Sequence, residues 1–281
     1  MSLSTLSRRA LFGMAAGGLA LAHGLPADAR RRRHAAASRQ PYAKLGVQLY
    51  TVRDAFAADP LGTLQMVRVL GYDQVEMIGL AGRKASEIKG WLDDLGLQAK
   101  SGHIGDWYNR AEVSLDELAG IGASYAVMPW MPEEERKDWK GFAAKLNHWG
   151  ELAHARGLKL AYHNHDFEFH PAPGGGEFYD ILLADTDPAL VSFELDVYWA
   201  AHGGHDPVQM IHQHAERIRM LHLKDKAASG AMTPVGSGTL DFPAILKAGA
   251  AAGVEFVFVE HDDAKNPFDS ISKSIHYLRA L

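Results

Sequence analysis

The sequence contains no cysteine among its 281 residues. That absence excludes disulfide bonds, thiolate metal sites and cysteine nucleophiles together. The chain also lacks the run of about 18 consecutive apolar residues that a transmembrane helix needs, so we predict no stable membrane anchor. No glycine-rich dinucleotide or phosphate fingerprint follows the first predicted strand, at 44–51, which disfavours an open nucleotide-binding sheet.

Beyond the first forty residues, acidic side chains outnumber basic ones. The net charge is −5, and residues 1–40 carry +6 because seven arginines stand there against one aspartate. The rest of the chain therefore carries −11. Because nucleic-acid phosphates require a basic surface, we expect no nucleic-acid partner.

The first residues have the order of an export signal. Arg8 and Arg9 precede a mildly apolar stretch of Ala, Gly and Leu that ends at Ala22, and small residues mark two candidate cleavage sites. This order is typical of secretory signals, and the paired arginines resemble a bacterial twin-arginine signal. We predict a signal peptide over 1–29, a basic linker over 30–42 and a folded domain over 43–281. The twin-arginine export machinery and a periplasmic or secreted location follow, with a disordered basic tail as the alternative.

Strand-like and helix-like segments alternate through the predicted domain. Strands are predicted at 44–51, 74–78, 97–103, 125–128, 159–163, 190–195, 218–223 and 255–260. Helices are predicted at 59–71, 85–95, 114–121, 132–156, 177–184, 207–217, 242–252 and 267–281. Eight strand–helix pairs of this length predict a single (β/α)8 TIM barrel of the α/β class, with a doubly wound open sheet as the alternative.

The last four predicted strands each end in a metal-binding or acid–base side chain. These side chains are His163, Asp196, His222 and Glu260. Because the carboxyl ends of parallel strands meet at one mouth of a barrel, we expect the four to converge there. Mixed imidazole and carboxylate ligands without thiolate predict a divalent metal site. Mn²⁺ is favoured, with Zn²⁺, Co²⁺, Fe²⁺ or Mg²⁺ as alternatives.

Further polar and aromatic side chains lie near the same strand ends. The candidate catalytic residues are His163, His165, Glu260 and Lys224. The candidate substrate-binding residues are Glu76, His103, Glu168 and Trp199. Structural alternatives remain open: Lys224 can form a salt bridge with Glu194 or Glu260, His163 can orient a ligand from outside the metal shell, and Trp199 can belong to the core. Glu194 is predicted to be an interior carboxylate rather than a ligand.

The chain resembles the xylose-isomerase-like TIM-barrel superfamily of sugar isomerases, epimerases and inosose dehydratases from Gly46 to its C-terminus. The motifs are Tyr162-His-Asn-His-Asp-Phe-Glu-Phe169, Glu194-Leu-Asp-Val-Tyr-Trp199, His222-Leu-Lys-Asp225, Gly236-Ser-Gly-Thr-Leu-Asp241 and Val259-Glu260. The resemblance implies a metal held by Glu, Asp, His and Glu from strands five to eight. Asp196, His222 and Glu260 match the last three. His163 stands where many relatives have a glutamate, which in epimerases is also one of two acid–base groups.

The resemblance implies a metal-dependent isomerase or epimerase of a small sugar, keto-sugar or cyclitol. A base among His163, His165 and Glu260 would remove the proton next to a carbonyl polarised by the metal. The departure at His163 keeps a lyase open, either an inosose-type dehydratase or a keto-glycoside β-eliminating enzyme. A non-catalytic periplasmic carbohydrate-binding protein is disfavoured by the intact ligand set. An abasic-site endonuclease is disfavoured by the acidic charge, the export signal and Trp199, where the resemblance would place a further metal-binding histidine.

Overall fold

The computed structural model describes residues 41–173 and 175–281. Its strands are β1 (Gly46–Gln48), β2 (Gln74–Met77), β3 (Gln98–His103), β4 (Tyr125–Met128), β5 (Lys159–His163), β6 (Val191–Asp196), β7 (Ile218–Leu223), β8 (Asp225–Lys226), β9 (Met232–Thr233) and β10 (Phe256–Val259). Strands β1 to β7 and β10 form a closed parallel barrel in which β10 pairs with both β7 and β1. Strands β8 and β9 form a short antiparallel pair. The predicted (β/α)8 barrel is confirmed.

Helices follow the barrel strands along the chain. They are α1 (Arg53–Ala58), α2 (Pro60–Leu70), α3 (Ala85–Leu95), α4 (Trp107–Gly120), α5 (Trp139–His154), α6 (Phe178–Asp185), α7 (Val197–His202), α8 (Pro207–Gln213), α9 (Phe242–Ala252) and α10 (Pro267–Ala280). Both ends of α2 are capped: Asp59 Oδ1 accepts the Gly62 N–H at 3.0 Å, and Gly71 ends the helix at φ 105°. Such a left-handed C-terminal residue is most easily a glycine.

Two predicted helix starts were wrong, and in both cases an aspartate is the reason. The helix predicted from 114 begins at Trp107, because the Asp106 side chain accepts the Asn109 N–H at 3.1 Å. The helix predicted from 132 begins at Trp139, where Asp138 accepts the Gly141 N–H at 2.9 Å. In each case the aspartate side chain accepts one of the first free N–H groups of the helix, which stabilises the helix start at that position.

Two further predicted segments are longer than the observed ones, and two short helices were not predicted. The strand predicted at 44–51 ends at Gln48, whose Oε1 accepts the Tyr50 N–H and starts a 3-10 turn that leads into α1. The helix predicted at 207–217 ends at Gln213, and the helices α1 and α7 were not predicted. The other barrel strands and the remaining predicted helices agree with the structure to within one residue at each end.

The interior of the barrel is divided into an apolar layer and a polar layer above it. The apolar layer is formed by Tyr125, Val127, Ala161, Met220 and Phe258. Gly46 makes room for it, since a Cβ at that position would lie 2.3 Å from a ring carbon of Phe258. The polar layer lies toward the carboxyl ends of the strands. A separate, larger apolar core fills the space between the barrel and its helices.

The predicted signal peptide over 1–29 lies outside the described residues, as does all but the end of the predicted linker. Tyr42, at the end of that linker, is buried in the core, so packing begins at or before this residue. Within the described ranges, no helix combines the length and apolar character needed to cross a membrane.

Candidate metal centre

The structure brings the four predicted metal ligands together at the carboxyl end of the barrel. His163 ends β5, Asp196 ends β6, His222 lies on β7 and Glu260 follows β10. All four are buried, and one ligand atom from each lies within 4.8 Å of the others. We call this set, His163, Asp196, His222 and Glu260, the outer group.

Local hydrogen bonds fix the orientation of Asp196. Its backbone N–H donates to Asn164 Oδ1 at 3.0 Å, and its Oδ1 accepts the Trp199 N–H at 2.9 Å where α7 begins. The second oxygen, Oδ2, is buried and faces the Lys224 ammonium at 3.1 Å and His163 Nε2 at 3.9 Å. Two ligands on opposite sides of an ion at about 2.1 Å each are about 4.2 Å apart, so the outer group fits a divalent cation after a shift of tenths of an ångström.

A second set of ligand atoms lies deeper in the barrel. His103, His163, Glu194 and His222 also have ligand atoms within 4.8 Å of one another, and we call them the inner group. Glu76 lies against it, with its Oε2 at 2.5 Å from His222 Nε2 and 3.3 Å from His103 Nε2. His163 and His222 belong to both groups.

Lys224 places its ammonium among the carboxylates of the outer group. Its Nζ lies 3.1 Å from Asp196 Oδ2 and 2.8 Å from Glu260 Oε2. A third contact, at 2.8 Å, is with Asp262 Oδ1. The ion pair considered with Glu260 is therefore present, and Asp196 and Asp262 take the place that was considered for Glu194.

Neighbouring charges set the protonation of the deeper groups. Burial lowers the pKa of His103, but the charges and hydrogen bonds of Glu76 and Glu194 outweigh it and raise that pKa to about 9. Burial raises the pKa of Glu76, but His103 and His222 hold it well below its ordinary value. For His222, burial is again outweighed, here by Glu194, Glu260 and Glu76, and the pKa is well above 6.5.

The outer carboxylates respond differently to the same burial. The pKa of Asp196 is raised, mainly by burial, although Lys224 and His222 oppose the rise. Burial also raises the pKa of Glu260, but Lys224 and His222 outweigh it and hold it well below the ordinary value. The pKa of Asp262 rises to about 6 through burial and the charge of Glu260.

His163 and His165 are neutral side chains in this centre. Burial lowers the pKa of His163 well below 6.5, and the positive charges of His222 and Lys224 add to the effect. Burial likewise lowers the pKa of His165 well below 6.5, with Lys224 adding to it. Neutral imidazole is the form that binds metals and accepts protons.

His165 lies in an aromatic setting beside the outer group. Its ring centroid is 5.0 Å from that of His163, 5.4 Å from Trp199 and 4.6 Å from Trp130. Its Nδ1 is buried and has no hydrogen-bond partner in the described part of the chain. Trp130 is 48% exposed, so this cluster reaches the surface at the mouth.

Glu168 supports His165 from below rather than facing the mouth. Its Oε2 accepts the backbone N–H of His165 at 2.9 Å, and its Oε1 accepts the Tyr162 hydroxyl at 2.5 Å. It is fully buried. The structure thus gives Glu168 a position behind the fifth strand, while its predicted substrate contact stays a prediction.

A cavity of about 480 Å³ opens next to the inner group. His103 is the member of the two groups that lines it, together with residues that follow β2 and β3, among them Gly79, Arg83, Asp106 and Arg110. The cavity is therefore beside the outer group rather than above it. Its volume is in the range of small-ligand sites.

Sequence reasoning did not identify Gln48, Ser101 and Asp262 as parts of this centre. Gln48 Nε2 donates to Glu76 Oε2 at 2.7 Å, and the Ser101 hydroxyl donates to Glu76 Oε1. Asp262 contacts Lys224. Ser101 lies two residues before His103 on β3, so strand alternation was the signal available for it.

Comparison with known proteins identifies related chains. A family model described as "Xylose isomerase-like TIM barrel" matches residues 64–281. A sugar phosphate isomerase/epimerase from Parabacteroides distasonis ATCC 8503 superposes with a TM-score of 0.74 at 28% identity, over 87% of this chain and 95% of that chain.

Curated relatives cover less of the sequence. An inosose dehydratase of Geobacillus thermodenitrificans (strain NG80-2) is 32% identical over 177 residues, which cover 54% of this chain and 56% of the relative. The inosose dehydratase of Geobacillus kaustophilus (strain HTA426) is 30% identical over 183 residues, 56% of this chain and 58% of that one. The chain thus spans little more than half the length of these two relatives.

Proposed function

The chain belongs to the xylose isomerase-like TIM barrel family, and we propose that it is a metal-dependent enzyme that removes the proton next to the carbonyl of a small sugar, keto-sugar or cyclitol. The observation that carries this proposal is the outer group, His163, Asp196, His222 and Glu260, whose ligand atoms converge at the mouth of the barrel. In a TIM barrel that end holds the active site.

The donor set points to a borderline divalent cation. Two imidazoles and two carboxylates suit Mn²⁺, which we propose first, and also Zn²⁺, Co²⁺ or Fe²⁺, whereas Mg²⁺ prefers oxygen ligands alone. When bound, such a cation withdraws electrons from a carbonyl oxygen and acidifies the adjacent C–H. The approach of Asp196 Oδ2 to His163 Nε2, at 3.9 Å, and the lowered pKa of His163, which keeps its imidazole neutral, support the proposal.

We assign the proton-removing base to His165. His163 and Glu260 have their polar atoms turned toward the outer group or Lys224, which leaves His165 as the neighbouring imidazole with a buried, unpartnered nitrogen. Its aromatic neighbours exclude water from one face. A histidine in this position can take a carbon-bound proton and return it to the same or the neighbouring carbon.

Lys224 and Trp199 hold the substrate in this proposal. The ammonium of Lys224, between Asp196 and Glu260, would stabilise the negative charge that develops on a substrate oxygen. Trp199, beside His165, would pack against the apolar face of a sugar or cyclitol ring. The cavity beside His103 provides room for the part of the substrate that does not react.

Two outcomes share the first step, and each has a supporting relative. Returning the proton to the adjacent carbon, or to the opposite face, gives an isomerase or epimerase, as the name of the Parabacteroides protein suggests. Loss of a β-hydroxyl as water after proton removal gives a dehydratase, as the curated inosose dehydratases suggest. We propose the isomerase or epimerase first and the lyase as the second candidate.

Proton–deuterium exchange tests the shared step. The Mn²⁺-loaded protein is incubated in D₂O with a panel of keto-sugars and inososes, and carbon-bound deuterium is followed by NMR. We expect exchange at one carbon next to a carbonyl, and a loss of about 100-fold or more in His165→Gln with metal binding retained. Epimeric or isomeric products support the first outcome and unsaturated products the second. No exchange across the panel would contradict the proposal.

We also propose export through the twin-arginine pathway, from Arg8, Arg9 and the apolar stretch after them. Mass spectrometry of the full chain from the periplasm of a bacterial host should give a new N-terminus near residue 23 or 30. The double variant Arg8→Lys, Arg9→Lys should leave the uncleaved chain in the cytoplasm. Equal periplasmic yield of both proteins would contradict export by this route.

A further inference from the structure

One oxygen of Glu194 contacts three imidazoles at once. Its Oε2 lies 3.1 Å from His103 Nε2, 3.2 Å from His163 Nδ1 and 3.1 Å from His222 Nε2. An ionised carboxylate only accepts hydrogen bonds, so the nitrogens that face it must carry the protons. Glu76 adds a second acceptor for His222 Nε2, at 2.5 Å.

The opposite nitrogens of two of these rings face the outer group. A neutral imidazole has one N–H and one lone pair. With Nδ1 of His163 protonated, its lone pair lies on Nε2, the atom 3.9 Å from Asp196 Oδ2. Both nitrogens of His222 face carboxylates, Nε2 those of Glu194 and Glu76, and Nδ1 that of Glu260 at 2.7 Å, so both carry protons in the absence of a metal. Because two carboxylates hold the Nε2 proton and one holds the Nδ1 proton, a cation bound to this ring would replace the proton on Nδ1. The outer nitrogens of both rings therefore face the same place.

We propose that Glu194 and Glu76 are positioning residues, which hold the protons on the inner nitrogens, His163 Nδ1 and His222 Nε2, and so decide that the metal binds in the outer group rather than the inner one. This rests on the proposed metal-dependent function. The inner group has suitable spacing for an ion, but its imidazole nitrogens are the ones committed to these carboxylates. One neutral ring cannot serve both positions.

Glu76 is itself held rigidly for this role. Gln48 and His222 donate to its Oε2, and Ser101 donates to its Oε1. It is fully buried beneath the imidazoles, with no face toward the mouth. A positioning role therefore replaces the substrate contact that the sequence suggested for this residue. Carboxylates that accept the second N–H of a metal-binding histidine raise the affinity of the site in this way.

Calorimetric titration with Mn²⁺ tests the energetic part of the proposal. We expect one ion per wild-type chain, and a Kd about 10 to 100-fold weaker in Glu194→Gln and in Glu76→Gln. Glu255→Gln is the matched control, because it removes the same charge at the other end of the barrel, where Glu255 contacts Lys159 and Tyr125. Its Kd should stay within about twofold of wild type. Unchanged affinity in both cluster variants would overturn the proposal.

Nitrogen-15 NMR of the histidine rings tests the tautomers without any substitution. In Zn²⁺-loaded wild-type protein, His163 should carry its proton on Nδ1 and His222 on Nε2. In the metal-free protein His163 should keep the Nδ1 proton. Protons on the opposite nitrogens would overturn the proposal. A wild-type protein that binds no metal would defeat the proposed function instead, and the metal-free spectrum of His163 would still decide this inference.

Discussion

The two ends of the barrel differ in how their charged side chains are buried and paired. At the amino end, Lys159, Glu255 and the Tyr125 hydroxyl form a mutually satisfied cluster, with contacts of 2.7 to 3.2 Å, whose lysine and glutamate remain partly in solvent. At the carboxyl end, four carboxylates are buried within a few ångströms of each other. They are Glu76, Glu194, Asp196 and Glu260.

The carboxylates at the carboxyl end outnumber the cations beside them. The Lys224 ammonium contacts two of the four, and His103 and His222, whose pKa values are raised, add two further positive charges. Burying charges costs several kcal/mol each unless partners compensate, so a fold does not gain stability from such a layer. The apolar layer beneath it has no such cost. We therefore expect the apolar layer to supply stability, while the charged mouth suits the proposed cation and chemistry.

The largest effect is expected from removing a ligand of the outer group. Asp196→Ala and His222→Ala should each abolish Mn²⁺ binding, because each leaves three ligands and an uncompensated neighbour. Far-UV circular dichroism should stay nearly unchanged, since neither side chain belongs to the apolar core. Calorimetry and dichroism measure the two properties on the same sample. If both variants still bound one metal ion per chain, the outer group could not be the metal site.

A substitution in the apolar layer should lower stability and leave metal binding intact. Phe258 is fully buried between Gly46 and the other side chains of the barrel interior. Phe258→Ala should lower the free energy of unfolding by about 3 to 5 kcal/mol through lost burial and a cavity. The folded fraction should still bind one Mn²⁺. Denaturant unfolding gives the first quantity, and a loss below about 1 kcal/mol would contradict the stabilising role of this layer.

Glu168 should change the free energy of unfolding by an intermediate amount that depends on pH. Burial raises its pKa to about 7, against lowering by the hydrogen bonds of Tyr162 and the backbone. Because the folded protein holds this proton more tightly than the unfolded chain, the stabilising contribution is complete below about pH 4.5. It is lost as the pH rises to about 7, at a cost of about 3 kcal/mol.

Glu168→Gln should therefore be more stable than wild type at pH 8, by up to about 3 kcal/mol. The gain should shrink toward zero near pH 4.5. Thermal unfolding of both proteins across this range measures the difference. A gain that does not change with pH would mean that the charge of Glu168 is not the cause.

The smallest effect is expected at the amino end. Glu255→Gln removes a charge from a partly exposed cluster, where ion pairs contribute about 1 kcal/mol or less. The free energy of unfolding should fall by no more than that, and Mn²⁺ affinity should not change. A larger loss would show that the charged cluster at the amino end contributes substantially to stability. That result would contradict the contrast drawn between the two ends of the barrel.

Most of the fold and the outer group could be predicted from the sequence because both follow from short-range patterns. Strand alternation placed Asp196, His222 and Glu260 on inward faces at strand ends, and the structure gathers them with His163. Helix starts were harder, because Asp106 competes with a later start signal at Ser114 and Asp138 with an earlier one at Pro132.

The inner contacts could not be predicted for a different reason. Glu76 and His222 are 146 residues apart, and they meet only because the barrel closes with a particular register. The contact of Lys224 with Asp262 depends on the path of the chain after β10. No local sequence pattern encodes these distances. Only the three-dimensional structure therefore shows that one nitrogen of each histidine faces the inner carboxylates and the other faces the outer ones.

Anomalous diffraction from crystals of the Mn²⁺-loaded protein tests the central claim most directly, because it locates the ion. We predict one strong peak at about 2.0 to 2.3 Å from His163 Nε2, Asp196, His222 Nδ1 and Glu260. A peak among His103, Glu194 and the inner nitrogens of His163 and His222, or no peak at the mouth of the barrel, would contradict it.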